Sequence, residues 1–470
     1  MRLSVCMALC LCAGCRDLPP QGQVLLYVDT DATLAAATGE TVDPTALFDS
    51  LRIDVFEPGQ TEPCAGCSRT FALDRAVVSA VQASFGLPME PNVAGYRVRL
   101  RLYHSASTLT GSVPNADDQG RAPQSTIDTI VSLPMVEEEG IVERSVVLRT
   151  NDIGMSIGTL DAPVEPLEGA PLQSLVGSWP GARRVPCSGA PEPGEVCVPG
   201  GAFWMGNARM LGTSLGEAND RRRLVVLSPF FLDSTEVTVS AYRSFDDGSL
   251  YELHAWSGGT QGFAWQDFCT FTATPGAHDD KPVLCVSYEG ARAYCQARGG
   301  DLPSEAQIEY AASALESRLF VWGSDQPRCS DAVLQRYGYG LFAATYNECT
   351  PELAPGGAEI VGSLAMPPRR DRLELEGGVI YDLVGNATEW ALDTWNRQDE
   401  PCWMRAGPLV DPWCNQPSPS QGDVRVFRTG SWLVGARQAA AAYRSPLLGN
   451  IASGQGIDLG FRCARRGITP

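Results

Sequence analysis

The chain has 470 residues, 44% of them hydrophobic, which is enough for a sizeable core and for roughly two or three domains of ordinary size. Asp and Glu outnumber Lys and Arg by 55 to 36, giving a net charge of −19. That balance excludes a nucleic-acid partner, whose phosphates need a basic face.

The chain opens as an export signal. Arg2 supplies a short positive region, and Leu3 to Leu11 is an apolar run too short to span a bilayer. It ends in Leu11-Cys12-Ala13-Gly14-Cys15, which resembles the bacterial lipobox, where the cysteine is diacylated and becomes the new N-terminus. The place three before that cysteine, usually aliphatic, holds Cys12. The expectation is a signal over residues 1–15 and lipidation at Cys15. That gives an exported, membrane-anchored lipoprotein of the bacterial cell envelope; the other reading is an ordinary cleaved signal with Cys15 left free. No later segment is long and apolar enough to span a membrane, so the membrane partner would be met through lipid.

After a short tether with two prolines (Arg16 to Gln21), the pattern becomes that of strands. Val24 to Val28, Leu51 to Phe56, Tyr96 to Tyr103, Thr126 to Leu133 and Val142 to Leu148 are rich in β-branched or aromatic residues. Leu51 to Val55 and Arg97 to Leu102 alternate strictly, so one face is buried and the other faces water. A β-sandwich domain over residues 16–150 is expected. Arg97, Arg99 and Arg101 share one strand face, read as solvated in preference to a charged ligand patch. Residues 151–194 are rich in Pro, Gly and small residues without periodicity, and read as a linker.

Further on, DLPSEAQIEYAA (Asp301 to Ala312) carries a capping box, Ser304 with Gln307 three residues later. The helix it starts places Ile308, Ala311, Ala312 and Leu315 on one face. Around it, in order, stand GGAFWMG (Gly200 to Gly206), FFLDSTEVTVSAYRSF (Phe230 to Phe245), KPVLCVSYEGARAYC (Lys281 to Cys295), VWG (Val321 to Gly323), YDLVGNATEWALDTW (Tyr381 to Trp395), FRTGSW (Phe427 to Trp432) and DLGFRCAR (Asp458 to Arg465). These blocks resemble the formylglycine-generating enzyme family, also called sulfatase-modifying factors, over roughly Val196 to Arg466. The resemblance implies an α+β, C-type-lectin-related domain with little regular structure, placed at residues 195–466. RRDRLELE (Arg369 to Glu376) is a charged insertion between family blocks and reads as a surface loop or hairpin.

Active members of that family oxidise a sulfatase cysteine to formylglycine, with oxygen as oxidant and copper(I) held by two cysteines. Thiolates are soft donors suited to copper(I). In the family the pair lies three and eight residues beyond the serine of an R-G-G-S block. Here that block is Arg428-Thr429-Gly430-Ser431, and the two places hold Val434 and Ala439. No catalytic residue is assigned, and neither copper nor iron is expected. Cys402 and Cys414 could hold copper in principle, but a disulfide is the better reading. An iron site of the sulfoxide-forming branch would have to be built from His104, His254 and His278, which are isolated from one another.

The family also uses structural calcium. The resemblance carries calcium onto Asn386 and Glu389 of GNATEW and onto Asp331, all hard oxygen donors; the other reading is that Asn386 and Glu389 only hydrogen-bond their loop. Ser431, Trp432, Arg437 and Arg444 map to the family's peptide-accepting groove. Arg462 is better read as a buried structural arginine, and Arg444 is open to the same reading. Twelve cysteines beyond residue 15, in an oxidising compartment, point to disulfides. Sequence neighbours suggest Cys64–Cys67, Cys187–Cys197, Cys269–Cys285, Cys329–Cys349 and Cys402–Cys414. The leftover pair, Cys295–Cys463, matches a disulfide of the family. Cys64-Ala-Gly-Cys67 also invites a zinc or redox reading, but no further ligands lie nearby. The function expected is a lipid-anchored envelope protein whose enzyme-like domain binds an extracytoplasmic peptide, protein or glycan, or serves as a structural module. The alternatives are a diverged metal-dependent oxidoreductase of the same superfamily and a sensor or adhesion module built around the β-domain.

Overall fold

The computed structural model describes residues 22–35, 46–81, 83–107, 124–207, 222–246, 269–334, 357–362, 369–435, 437–446 and 456–467. Cys15, His254 and Cys349 lie outside them. The described chain is built of mixed sheets with few, short helices.

The N-terminal strands are β1 (Gln23–Thr30), β2 (Ser50–Phe56), β3 (Ser68–Ala72), β4 (Ser84–Pro88), β5 (Arg97–Tyr103), β6 (Thr126–Ser132), β7 (Ile141–Leu148), β8 (Ser156–Ile157) and β9 (Leu167–Glu168), with helix α1 (Arg75–Ser79) between β3 and β4. They form a four-stranded sheet, β4-β1-β7-β9, and a five-stranded sheet, β3-β2-β5-β6-β8. Alternation explains the core. Val24, Leu26 and Val28 of β1 meet Leu51 and Ile53 of β2 and Val98, Leu100 and Leu102 of β5 in one cluster.

The opposite face of the five-stranded sheet corrects an expectation. Arg97, Arg99 and Arg101 do share it, but Arg97 and Arg101 are buried. Arg101 Nη2 lies 2.6 Å from Asp54 Oδ2, and Arg99 Nε donates to Asp128 Oδ1 at 2.8 Å. Arg97 donates to the carbonyls of Glu57, Gln60 and Leu160. Alternation says which side chains share a face; it does not say whether water covers that face.

The stretch read as a linker is also ordered. Ser174 Oγ and Leu175 N donate to Asp29, Gly177 N donates to Ala32 O, and Trp179 is buried with its Nε1 on Asn151 Oδ1. Absent periodicity here means irregular backbone, not absent packing.

Among the described residues the C-terminal half contains three sheets of three or more strands and a two-stranded hairpin. One joins β10 (Glu195–Val198), β13 (Phe230–Asp233) and β21 (Ala464–Arg466), tying the start of the domain to its end. A second joins β11 (Gly201–Met205), β12 (Arg223–Leu227) and β17 (Leu409–Val410). The third runs in the order β19 (Arg444–Pro446), β18 (Arg425–Arg428), β16 (Thr388–Thr394), β20 (Leu459–Gly460). The RRDRLELE insertion forms a hairpin of β14 (Arg372–Leu375) and β15 (Gly378–Tyr381). The two halves share core: Ala202, Trp204 and Leu224 belong to the N-terminal cluster. Trp204 Nε1 donates to Leu47 O at 2.6 Å, and its ring meets Phe48 edge-on at 5.5 Å.

Helices α2 (Val239–Phe245), α3 (Tyr288–Ala297) and α4 (Glu305–Ala312) start on Thr238, Ser287 and Ser304, whose side chains accept backbone N–H groups. The capping box of α4 is complete: Ser304 Oγ accepts from Gln307 N, and Gln307 Oε1 accepts from Ser304 N at 2.9 Å. The one-sided face expected for this helix is not what is found. Seven of its eight residues are buried, Glu305 and Glu309 included, and Leu315 lies beyond its end. The sequence shows the carboxylates but not the arginines that neutralise them.

Disulfides join Cys64–Cys67, Cys187–Cys197, Cys269–Cys285, Cys295–Cys463 and Cys402–Cys414. Cys329 is disulfide-bonded too.

Candidate functional site

β18 ends in Arg428, and the chain turns through Thr429, Gly430 and Ser431. A Cβ on Gly430 would lie 2.8 Å from Val384 O and 3.2 Å from Ala439 N, so two backbones approach closely there and only glycine fits. Thr429 stands where the family motif has glycine and holds φ at 70°, a left-handed conformation that β-branched residues rarely adopt. Ser431 is buried, donates to Asp458 Oδ2 and accepts from Leu433 N at 3.2 Å. Burial raises the Asp458 carboxyl, against the pull of Ser431 and Thr388.

Val434 is partly exposed, and Ala439 is completely buried in the domain core beside Ala440 and Ala441. Every described cysteine is disulfide-bonded, including Cys402 and Cys414. Among the described residues no thiolate pair is on hand for a soft metal.

Three of the four residues mapped to a groove are buried. Trp432 is fully buried and part of the core; its backbone N–H donates to Asn386 O. Arg444 is 2% exposed and lies across Glu305, with Nε–Oε2 2.7 Å and Nη2–Oε1 2.5 Å. Its guanidinium sits 4.2 Å from the Trp395 ring centroid. Of the four, Arg437 is exposed. Residue type and motif position suggested an anchor surface; the buried carboxylates on α4 draw Arg444 inward instead.

Arg444 belongs to a network that sequence reasoning missed. Arg428 reaches Glu305 Oε2 at 3.1 Å and Glu309 Oε2 at 2.5 Å, and these side chains are almost wholly buried. Glu309 Oε1 accepts from Gly206 N at 2.6 Å. Burial raises the Glu309 carboxyl, opposed by Arg428. The available signal was the i, i+4 spacing of Glu305 and Glu309, which puts both on one helix face. A second buried pair is the expected structural one, Arg462 on Glu389, at 2.8 and 2.9 Å from Nε.

That pair bears on calcium. Glu389 gives both oxygens to Arg462. Asn386 Oδ1 accepts from Glu359 N at 2.9 Å, and its Nδ2 donates to Glu236 Oε1 at 3.0 Å. Asp331 is bidentate on Arg370, at 2.8 and 2.7 Å, and accepts from Arg328 N. The three residues are thus spent on different partners, and in this arrangement they do not fit a calcium shell, which needs several convergent free oxygens. Among the described residues no group of three or more His, Cys, Asp or Glu is placed to hold a metal ion. Glu236 Oε2 is buried without a partner, and burial together with Asp382 raises this carboxyl well above its usual range. His104 lies among the N-terminal strands, and His278 Nδ1 stands 3.1 Å from Thr270 O in the C-terminal half, so the two do not converge.

Comparison with known proteins supports the family resemblance. A formylglycine-generating enzyme of Bos taurus is 28% identical over 323 residues, covering 61% of this chain and 77% of that protein. The inactive C-alpha-formylglycine-generating enzyme 2 of Mus musculus is 27% identical over 315 residues, covering 60% and 88%. Among solved structures, PvdO from Pseudomonas aeruginosa aligns with a TM-score of 0.37 at 20% identity, over 58% of this chain and 94% of that one. Residues 183–467 match the sulfatase-modifying factor enzyme 1-like domain, and by that match over more than half its length the chain belongs to the sulfatase-modifying factor family.

Proposed function

We propose that this protein is a family member without copper chemistry, an exported binding or structural module anchored to the cell envelope by a lipid on Cys15. The observation that carries the reading is Val434 and Ala439 in the places of the copper-binding cysteines. Its support is that Ala439 is packed into the core and that every described thiol is already oxidised. A relative whose name marks it inactive is consistent with the fold outlasting the activity. The disulfides suit an oxidising, extracytoplasmic compartment. No described helix is long and apolar enough to cross a membrane. In this reading the two N-terminal sheets form a sandwich that carries the C-terminal domain on Trp204.

The test is to incubate the purified protein with copper, oxygen and a peptide containing C-x-P-x-R and to weigh the peptide. No change is expected. A mass loss matching conversion of the thiol to an aldehyde would sink the reading, and so would stoichiometric copper or iron in the purified protein. Radiolabelled palmitate should enter the wild type and not Cys15→Ala; persistent labelling of the variant refutes the anchor.

A further inference from the structure

We propose that the Cys64–Cys67 disulfide is a thiol–disulfide exchange site that passes its disulfide to a reduced polypeptide carrying two nearby cysteines. The site lies in the N-terminal sheets, outside the family domain, and does not depend on the binding-module reading. Its motif is Cys64-Ala-Gly-Cys67, and the two sulfurs are bonded to each other.

As a staple this bond is redundant. It sits at the tip of the β2–β3 hairpin, whose ladder runs from the Ser50–Ala72 pair to the Asp54–Ser68 pair. The backbone carries the pairing on past the strand ends. Cys64 N donates to Val55 O at 3.0 Å, Val55 N to Cys67 O at 3.4 Å, and Cys67 N to Cys64 O at 3.0 Å. These bonds hold the two cysteines side by side without help from the sulfurs. The crosslink spans three residues, the shortest separation among the disulfides that join described residues. It therefore removes the least freedom from the unfolded chain, and opening it costs the fold little.

The bond is also within reach of a partner. Both cysteines are half-exposed, and Ala65, Gly66 and every residue from Gly59 to Glu62 are exposed. A Cβ added to Gly59 or Gly66 would meet no atom within 4 Å, so the space around the tip is open. The preceding loop is fixed from the sheet side, where Arg97 Nη2 donates to Glu57 O and Gln60 O. Other disulfides of the chain are shielded: Cys285, Cys295, Cys414 and Cys463 are buried. Cys187–Cys197 is half-exposed as well, but it closes ten residues and ties the segment before β10 to that strand. Exchange requires a thiolate to reach a sulfur, and exposed disulfides are the labile ones.

The turn also selects the partner. A partner thiolate attacks one sulfur, forms a mixed disulfide with it and releases the other cysteine as a thiolate. A partner with a single thiol is then expelled, because the backbone bonds hold the freed cysteine beside the mixed disulfide and the return attack is intramolecular. A partner with a second thiol in reach breaks the mixed disulfide from its own side. Its two thiols become a disulfide, Cys64 and Cys67 become thiols, and the two protons that the partner gives up end on them. Two electrons pass from the partner's sulfurs to Cys64 and Cys67, and no other oxidant takes part. One protein molecule thus oxidises one dithiol.

The experiment mixes the whole mature chain, oxidised and under nitrogen, with a reduced synthetic peptide carrying two cysteines. After an acid quench the peptide is weighed, and the protein's thiols are alkylated and mapped. One equivalent of peptide should lose two hydrogens, with the alkyl groups on Cys64 and Cys67 and the other disulfides intact. A peptide with one cysteine should come back unchanged. In a dithiothreitol titration, Cys64–Cys67 should open at a concentration about tenfold or more below that needed for any other pair. Cys64→Ser with Cys67→Ser should leave the dithiol peptide reduced while keeping the wild-type Tm, since the turn retains its backbone bonds. The proposal is overturned if the dithiol peptide stays reduced, if the double variant oxidises it as wild type does, or if another pair opens first or together with Cys64–Cys67. The alkylation map is read on the wild type, so it decides even if the variant folds poorly. Failure here leaves the copper-free reading standing, whereas aldehyde on the C-x-P-x-R peptide removes that reading whatever Cys64 and Cys67 do.

Discussion

The five-stranded N-terminal sheet and the C-terminal domain both bury charge, and they do it in opposite ways. In the sheet, Asp54 sits between Arg52 and Arg101, one carboxylate shared by two guanidiniums on neighbouring strands. Burial alone would raise the Asp54 carboxyl, but the hydrogen bonds of Ser68 and Arg101 and the nearby guanidiniums hold it below its ordinary range. In the C-terminal domain carboxylates crowd a few arginines. Asp393 is wholly buried and pushed up to about 7, by burial first and by Glu305 second, against two backbone N–H donors. Asp382 is raised to about 6 mainly by burial. A β-ladder offers each acid a cross-strand partner by register. A domain with little regular structure has to gather its partners from distant segments, and it leaves some acids short of them.

The largest expected difference between the regions lies in their disulfides. Cys295–Cys463 closes a separation of 168 residues, and Cys64–Cys67 closes one of 3. In the chain-entropy account the first is worth about 5 kcal/mol and the second about 3 kcal/mol less. Replacing each pair with alanines and measuring unfolding in guanidinium should give clearly unequal losses. Equal losses would mean that the C-terminal domain does not depend on its long-range crosslink.

Next comes the Glu305 network. Glu305→Leu leaves Arg428 and Arg444 buried without their shared carboxylate, and breaking a buried pair costs about 3–5 kcal/mol. Adding Arg444→Met should recover part of that loss, because it removes one of the orphaned charges. A loss below about 1 kcal/mol, the ceiling for an exposed pair, would show that water reaches these side chains.

The two regions should also answer pH with opposite sign. Asp393 titrates near 7 when folded, against 3.8 for an ordinary aspartate side chain, so the native state holds a proton that the unfolded chain has released. Its stabilising contribution is complete below about 4 and is lost as pH rises through about 7. The unfolding free energy of wild type relative to Asp393→Asn should therefore fall across that window; a flat difference would mean that Asp393 is ionised throughout. Asp54, being lowered, contributes above about 4 and loses its contribution as pH falls further. Asp54→Asn should accordingly cost stability at neutral pH and progressively less in acid.

How much of this could be read in advance follows from the same contrast. Strands β1, β2, β5, β6 and β7 are visible as runs rich in β-branched or aromatic residues, with strict alternation in β2 and β5, because both signals are local. In the C-terminal domain the helix starts on Ser304 and the near-neighbour disulfides are visible, because they too depend on residues close in sequence. The pairings of Arg428 with Glu309 and of Arg444 with Glu305 span more than a hundred residues, and no local pattern marks them. The candidate site divides the same way. The missing thiols at Val434 and Ala439 are plain from motif spacing, whereas the burial of Trp432 and Arg444 exists only after segments far apart have packed. RRDRLELE reads as a charged surface loop or hairpin, and nothing local selects the hairpin that forms.

The smallest effect tests the most legible feature. Ser304→Ala removes one acceptor from the start of α4, which by itself costs about 1 kcal/mol. Glu305 N, however, already donates to Asp393 Oδ2 at 2.8 Å, so the helix start has a second acceptor drawn from β16. The loss should then fall at the low end of the range for a cap. Asp74, which caps α1 in the N-terminal region through Val77 N, is the comparison. The decisive measurement is the double variant Ser304→Ala with Asp393→Ala, since asparagine would keep an acceptor oxygen. If local and tertiary acceptors share the work, the pair should lose more than the sum of the single losses, because the second removal leaves buried N–H groups without a partner. Simple additivity would mean that each acceptor serves its own N–H and that the capping box is as local as its sequence pattern suggests.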